Sequence, residues 1–114
     1  MRIESYSFGL MVVEGRRYEQ DLIIFPDRVK TNWWRKQGHS VCIEDLKEVR
    51  EYKPEILIVG TGAYGLMQVE PSLKRELKNE GIEVIAWPTK EASEIFNKYI
   101  QEKRRVIGAF HLTC

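Results

Sequence analysis

The residues of this chain that could do chemistry are few, and their spacing limits what that chemistry could be. Gly60, Gly62 and Gly65 spell G-x-G-x-x-G after the apolar run Ile56 to Val59. Where such a string opens a helix, the helix's free N–H groups hold a dinucleotide pyrophosphate. Here Pro71, which suits a first helical position, comes too late and leaves Gly60 to Glu70 as a loop. The next strand ends in Ala86-Trp87-Pro88 with no acidic residue to hold a ribose, so a nucleotide is not the expected ligand. Gly60 and Gly62 read instead as a sharp turn off a buried strand, at the end of a sheet where α/β proteins usually place ligands. Both histidines and both cysteines fall in H-x-x-C pairs, His39 with Cys42 and His111 with Cys114, enough for zinc if folded together. His111 and Cys114 lie on a predicted strand, however, where positions three apart face opposite ways. The expectation is no metal and two unpaired thiols; a Cys42–Cys114 disulfide stays open and requires an oxidising setting or a thermophile.

Arg28, Lys30, Arg35 and Lys36 surround Trp33-Trp34, and Lys103-Arg104-Arg105 forms a second basic cluster. Single-stranded nucleic acid binders use such mixtures. Lys+Arg 18 against Asp+Glu 17 gives a net charge of only +1, so these read as solvated faces and no nucleic acid partner is expected. No Ser or Cys stands in a nucleophile-and-base pattern. The chain therefore offers no catalytic residues and calls for no cofactor.

These residues must be positioned by a fold that 114 residues can build as one domain, 1–114, without staples. Hydrophobic content of 43% with 31% charged residues fits a soluble globular chain. No apolar run approaches the roughly 20 residues of a membrane span. The amino end lacks the apolar core of a signal peptide, so the cytoplasm is the expected compartment.

The organising unit runs from Glu55 to Trp87: an apolar strand at Ile56 to Val59, a glycine loop, an amphipathic helix and a second apolar strand at Ile82 to Trp87. Apolar runs of this kind are strands covered on both faces, and the intervening helix makes them parallel. Val69, Leu73 and Leu77 mark the helix, Pro71 its first turn and Gly81 its end. Ahead of this unit, residues 2 to 8, Leu10 to Val13, Arg16 to Tyr18, Leu22 to Phe25 and Arg28 to Trp34 read as short strands, with a tight turn at Glu14-Gly15. Val29, Thr31 and Trp33 are expected on one face of the last of these, Gln37 to Ser40 in a loop, and Ile43 to Tyr52 in a short helix. After Trp87, Thr89 suits an N-cap, and Ala92, Ile95, Phe96, Tyr99 and Ile100 follow a helical stripe. Val106 to Leu112 is the last strand. The order predicts an α/β domain with a mixed central sheet, plus an amino-terminal β-hairpin as a further layer.

In the carboxyl half, ILIVGTG is followed by a helix, a Gly-Ile-x-Val strand at Gly81 to Val84, then Thr89, Ala92, Asn97 and Glu102-x-Arg104-x-Val106. The amino half has the Glu14-Gly15 hairpin, DLIIFPD at Asp21 to Asp27, and tryptophan at the end of the next strand. This order resembles a small α/β domain family that includes the animal adipogenesis-associated domain protein and a mitochondrial assembly factor of respiratory complex I. Phe96 departs from the small hydroxyl residue often found there, and the HLTC ending is not a general family feature. The resemblance implies three layers: a mixed five-stranded central sheet, helices on its faces and an amino-terminal β-layer. It implies no reaction, and where a role is known it lies in assembly or interaction.

The expectation is a non-enzymatic interaction or assembly module with a protein partner. The alternative is a small-molecule- or anion-binding protein or enzyme with a pocket at the GTG loop. The residues expected to contact ligand or partner are Gly60, Thr61, Gly62, Thr89, Asn97, Glu102 and Arg104. Arg104 is expected either to cap the preceding helix or to turn outward towards the loop.

Overall fold

A computed structural model describes residues 1–114. The amino end forms three antiparallel strands, β1 (Ile3–Ser7), β2 (Leu10–Val13) and β3 (Arg16–Tyr18). They pair in the order β1-β2-β3, so the expected hairpin layer is a three-stranded sheet. Glu14 and Gly15 both take positive φ, 50 and 77°, the backbone of a two-residue hairpin turn.

The central sheet contains β4 (Leu22–Ile24), β5 (Val29–Thr31), β7 (Ile56–Thr61), β9 (Glu83–Trp87) and β10 (Val106–His111). Its order is β5-β4-β10-β7-β9, with β10, β7 and β9 parallel and β4 antiparallel to β10. This is the expected mixed five-stranded sheet. A further parallel pair, β6 (Ser40–Val41) with β8 (Gln68–Val69), ties the segment after β5 to the segment after β7. The Ser40 end of this pair lies where a plain loop is expected from sequence.

Strand alternation divides the core in two. Leu57, Val59, Ile107 and Ala109 face Trp33, Leu46, Val49, Leu73 and Leu77. Leu46 closes a 3₁₀ turn (Ile43–Leu46), Val49 lies on α1 (Lys47–Tyr52), and Leu73 and Leu77 on α2 (Pro71–Asn79). Ile56, Ile58, Val106 and Phe110 face Ile3, Met11, Val13, Ala92 and Phe96, drawn from the amino-terminal sheet and from α3 (Thr89–Gln101). Burial on both faces explains why β7 and β10 read as unbroken apolar runs.

Three local features differ from the sequence reading. The strand expected over Arg28 to Trp34 stops at Thr31, because Asn32 takes φ 58° and swings Trp33 inward. Trp33 is buried, its N–H donating to the Asp21 carbonyl at 2.8 Å and its Nε1 to the Asp45 carbonyl at 3.0 Å. The expected helix from Ile43 to Tyr52 is split into the 3₁₀ turn and α1. Pro88, not Thr89, occupies the N-cap of α3. Proline has no side-chain oxygen to cap with, and the Thr89 hydroxyl is engaged elsewhere.

Candidate functional site

The carboxyl ends of the parallel strands bring the GTG loop together with Thr89 and His111. Thr61 lies opposite His111, and Gly60 opposite both Phe110 and Trp87. The Thr89 hydroxyl accepts the Gly62 N–H at 2.8 Å and donates to the His111 carbonyl at 2.6 Å. The Thr89 N–H in turn donates to the Gly62 carbonyl at 3.0 Å. Gly62 is thus bracketed by Thr89, and this contact locks the first turn of α3 onto the loop. Gly62 takes φ 101°, and a Cβ there would lie 2.6 Å from the Thr113 carbonyl oxygen and 2.9 Å from His111 Cδ2. Gly60 has a different reason to be glycine: it lies within β7, and a Cβ would meet the Phe110 ring at 2.6 Å.

The remaining expected site residues lie elsewhere. Arg104 follows α3 beside the beginning of β10, and β10 and β7 are parallel, so it sits at the opposite end of the sheet from Gly62. Its Nε donates to Glu55 Oε1 at 2.8 Å, and its guanidinium lies over the Tyr99 ring. That pair holds the Glu55 carboxyl below its ordinary value and the guanidinium above its own. Glu102 is the exposed C-cap of α3. Asn97 faces β1, where it binds the Ile3 backbone.

Under the loop lies a buried polar cluster that the sequence reading did not assemble. Asp21, just ahead of β4, accepts the Leu112 N–H on Oδ1 at 2.8 Å. Its Oδ2 lies 2.7 Å from both Arg35 Nη2 and His111 Nδ1. Arg35 Nε and Nη2 also donate to the Gly38 carbonyl at 3.2 and 3.0 Å, and the guanidinium lies over the Trp33 ring. Burial pushes the Asp21 carboxyl up, but hydrogen bonds from His111, the Leu112 N–H and Arg35 outweigh it and hold the carboxyl below its ordinary value. An ionised carboxylate only accepts, so Nδ1 of His111 carries the proton it donates to Asp21. Burial, then the Asp21 charge, pushes the Tyr6 phenol up; its hydroxyl donates to the Leu112 carbonyl at 2.8 Å.

Two atoms of this cluster are left over. Arg35 is 8% and His111 6% exposed, and neither Arg35 Nη1 nor His111 Nε2 has a hydrogen-bond partner in the protein. The exposed His39 ring stands edge-on to the His111 ring, centroids 5.8 Å apart. Each member carried a faint signal: Asp21 opens a strand, Arg35 follows two tryptophans, and His111 ends a strand. Only the antiparallel pairing of β4 with β10 brings the start of one to the end of the other.

The two H-x-x-C pairs meet only through their histidines, whose rings stand edge-on. Cys42 is free, its sulfur donating to Asp45 Oδ2 at 3.3 Å, and Cys114 is free and exposed. Burial and the Asp45 carboxylate push the Cys42 thiol up, away from thiolate chemistry. No three His, Cys, Asp or Glu side chains are grouped to hold a metal ion. Of the basic–aromatic residues, Arg28 and Lys30 pair with Glu48, Lys36 with Glu44 at 3.4 Å, and Arg35 is buried.

The surface above the GTG loop is rimmed by apolar side chains. Phe8 and Tyr64 are 57% and 70% exposed with ring centroids 6.3 Å apart, and Leu66 and Trp87 are more than half exposed. The principal depressions of the surface lie elsewhere, one lined by Trp33, Trp34 and Lys36, another by Lys74, Lys78 and Arg104. None of them is lined by Gly60, Thr61, Gly62 or Thr89. No helix is long and apolar enough to cross a membrane.

The mixed five-stranded sheet and its amino-terminal β-layer define a small α/β domain, with the polar cluster beneath its loop. Its sequence matches the family described as "Protein of unknown function (DUF498/DUF598)" over residues 3–111, and the chain belongs to that family. Among solved structures, it is similar to the conserved hypothetical protein PH1505 from Pyrococcus horikoshii OT3, at 30% identity and TM-score 0.85 over 100% of both chains. A protein called MT938 is 27% identical with TM-score 0.82, covering 99% of this chain and 98% of the other. A Bordetella pertussis protein described as a Mth938-like domain shares the fold at 21% identity and TM-score 0.79, covering 97% of this chain and 85% of the other.

Proposed function

We propose that this domain is a non-enzymatic interaction module that binds a protein partner with the carboxyl end of its central sheet. The observation that carries this reading is the exposed rim of Phe8, Tyr64, Leu66 and Trp87 around a loop that lines no principal depression. Exposed apolar side chains that cluster mark contact surfaces, and aromatic ones are enriched at the centre of interfaces. The resemblance to the adipogenesis-associated and complex I assembly proteins supports an assembly role, and the amino end, which lacks a signal-peptide core, favours the cytoplasm as its setting. Gly60, Thr61, Gly62 and Thr89 shape the contact end. Asn97, Glu102 and Arg104 serve other surfaces.

The test compares proteins retained from a lysate of the source organism by the parent, by Tyr64→Ala with Trp87→Ala, and by Arg104→Ala. A partner held by the parent and Arg104→Ala but lost by the double variant supports the reading, provided direct binding is reproduced with purified components. Equal retention by the double variant overturns it.

A second reading has its own observation. The buried, unpartnered Arg35 Nη1 and His111 Nε2 favour a small-molecule or anion site beneath the same loop.

A further inference from the structure

We propose that β9, an outer strand of the central sheet, takes up an extended segment of another protein in which acidic and apolar side chains alternate. This goes beyond the carboxyl-end reading above and does not rest on it.

β9 has a strand neighbour on one side only, β7. In their parallel register the N–H and C=O of Glu83, Ile85 and Trp87 turn inward, and the Glu83 N–H donates to the Glu55 carbonyl at 2.9 Å. Those of Val84 and Ala86 therefore point out of the sheet, where no other strand or loop pairs with them. Outward groups of this kind are a template for one added strand. Val84, Ile85 and Ala86 are only half-buried although α2 and α3 both pack on β9, and Trp87 is exposed. The edge is open.

The side chains beside the edge decide what fits it. Val84 and Ala86 face the α2 side, where Val84, Lys74 and Lys78 border a depression. Arg104 and Glu55 in that depression are paired at 2.8 Å, which leaves the two exposed lysines against Glu83 alone. Lys74 and Lys78 are four residues apart, about 6 Å along α2. Every second side chain of a strand repeats at about 6.8 Å, so acidic residues at alternate positions meet both lysines. The positions between them turn to the α3 side, beside Ile85 and Trp87, and call for apolar side chains.

The same features disfavour a second copy of this chain. Two copies joined through β9 would set two α2 helices over strands about 4.8 Å apart, where packed helices need about 8–10 Å. They would also bring both lysine pairs together. Lysines at a sheet edge guard against self-pairing, and here they attract the opposite charge.

The experiment titrates the protein with the capped peptide Glu-Val-Glu-Val-Glu-Val-Glu and with its Lys-Val counterpart, following NMR shifts and amide hydrogen exchange. The acidic peptide is expected to bind and to slow exchange at Val84 and Ala86, with the lysine peptide about tenfold weaker. Lys74→Glu with Lys78→Glu, both exposed positions, is expected to reverse that preference. Ala86→Pro removes one outward N–H without touching the inner ladder, and is expected to fold and to bind about tenfold more weakly. No binding at millimolar peptide overturns the proposal, as does equal binding of the two peptides. Binding that leaves the Val84 and Ala86 amides unprotected reduces the effect to charge attraction and also overturns it. Protection of those amides that rises with protein concentration alone would assign the edge to a second copy, against the proposal. Each of these failures leaves the carboxyl-end reading standing.

Discussion

Asn97 holds Ile3 by both sides of its backbone: Oδ1 accepts the Ile3 N–H at 2.8 Å, and Nδ2 donates to the Ile3 carbonyl at 2.6 Å. A side-chain amide carries one acceptor and two donors, and here it completes the ladder of a strand that has no strand neighbour on that side. α3 and the amino-terminal sheet are joined through this contact. Asn97→Ala should lower stability by about 1–3 kcal/mol, since two backbone groups lose partners. Urea unfolding gives the value, and a change under about 0.5 kcal/mol would show that water replaces the amide without cost.

Thr89 makes an analogous bridge at the other end of α3. Thr89→Val keeps the shape but strands the Gly62 N–H and the His111 carbonyl in a fully buried place. The expected loss is more than about 2 kcal/mol. Thr89→Ser retains the hydroxyl and should lose clearly less. Equal losses for the two variants would mean that the methyl group, not the hydroxyl, matters.

Gly62→Ala combines a left-handed backbone with contacts no neighbour can relieve, since one of them is the Thr113 carbonyl oxygen at 2.6 Å. Gly15, also at positive φ, has nothing within 4 Å of its would-be Cβ. Gly15→Ala should therefore show only the conformational cost of about 1–2 kcal/mol, and Gly62→Ala more. Thermal unfolding of the pair separates the two contributions.

The Asp21 carboxyl, held below its ordinary 3.8, gives the folded state an advantage that is complete above that value and is lost as pH falls through the lower folded one. Stability measured from neutral pH downward should drop through this acid range. Asp21→Asn should be less stable at neutral pH and flatter in acid. The half-buried Glu48 and the exposed Glu55 and Glu80 are also shifted down by their basic partners, Lys30, Arg104 and Arg50. Their contribution should fade in about 1 M salt, where the Debye length is about 3 Å, and that of Asp21 should persist.

Arg104→Lys keeps the charge but removes the fork that meets Glu55. Because Arg104 is at the far end of the sheet from Gly62, the substitution should leave partner retention unchanged. A selective loss of retention, with unfolding unaltered, would return Arg104 to the recognition surface.

Much of the scaffold was legible in the sequence because burial writes itself into composition. Ile56 to Val59 and Val106 to Phe110 are apolar at every position except Gly108, as strands covered on both faces must be. Pro71 and Gly81 marked the ends of α2 for local reasons, and Gly81 takes φ 83° in the closing turn. Tertiary pairing left no such mark. The β6–β8 ladder joins two residues to two others distant in sequence, and Asn32 redirects Trp33 by a single backbone angle. The polar cluster was hidden for the same reason. Asp21, Arg35 and His111 share no spacing, and only the strand order makes them neighbours.

That strand order also has a consequence for the chain as it is made. β10 sits between β4 and β7, yet it is synthesised after both. Until it emerges, each of those strands presents an open hydrogen-bonding edge and an apolar face to the cell. Synthesis at about 5–20 residues per second makes this a delay of seconds, during which the β4–β5 hairpin and the β7–α2–β9 unit lack the strand that joins them. A nascent chain halted before Val106 would be a natural client of chaperones, and its release would let a single strand insertion unite the two halves of the core.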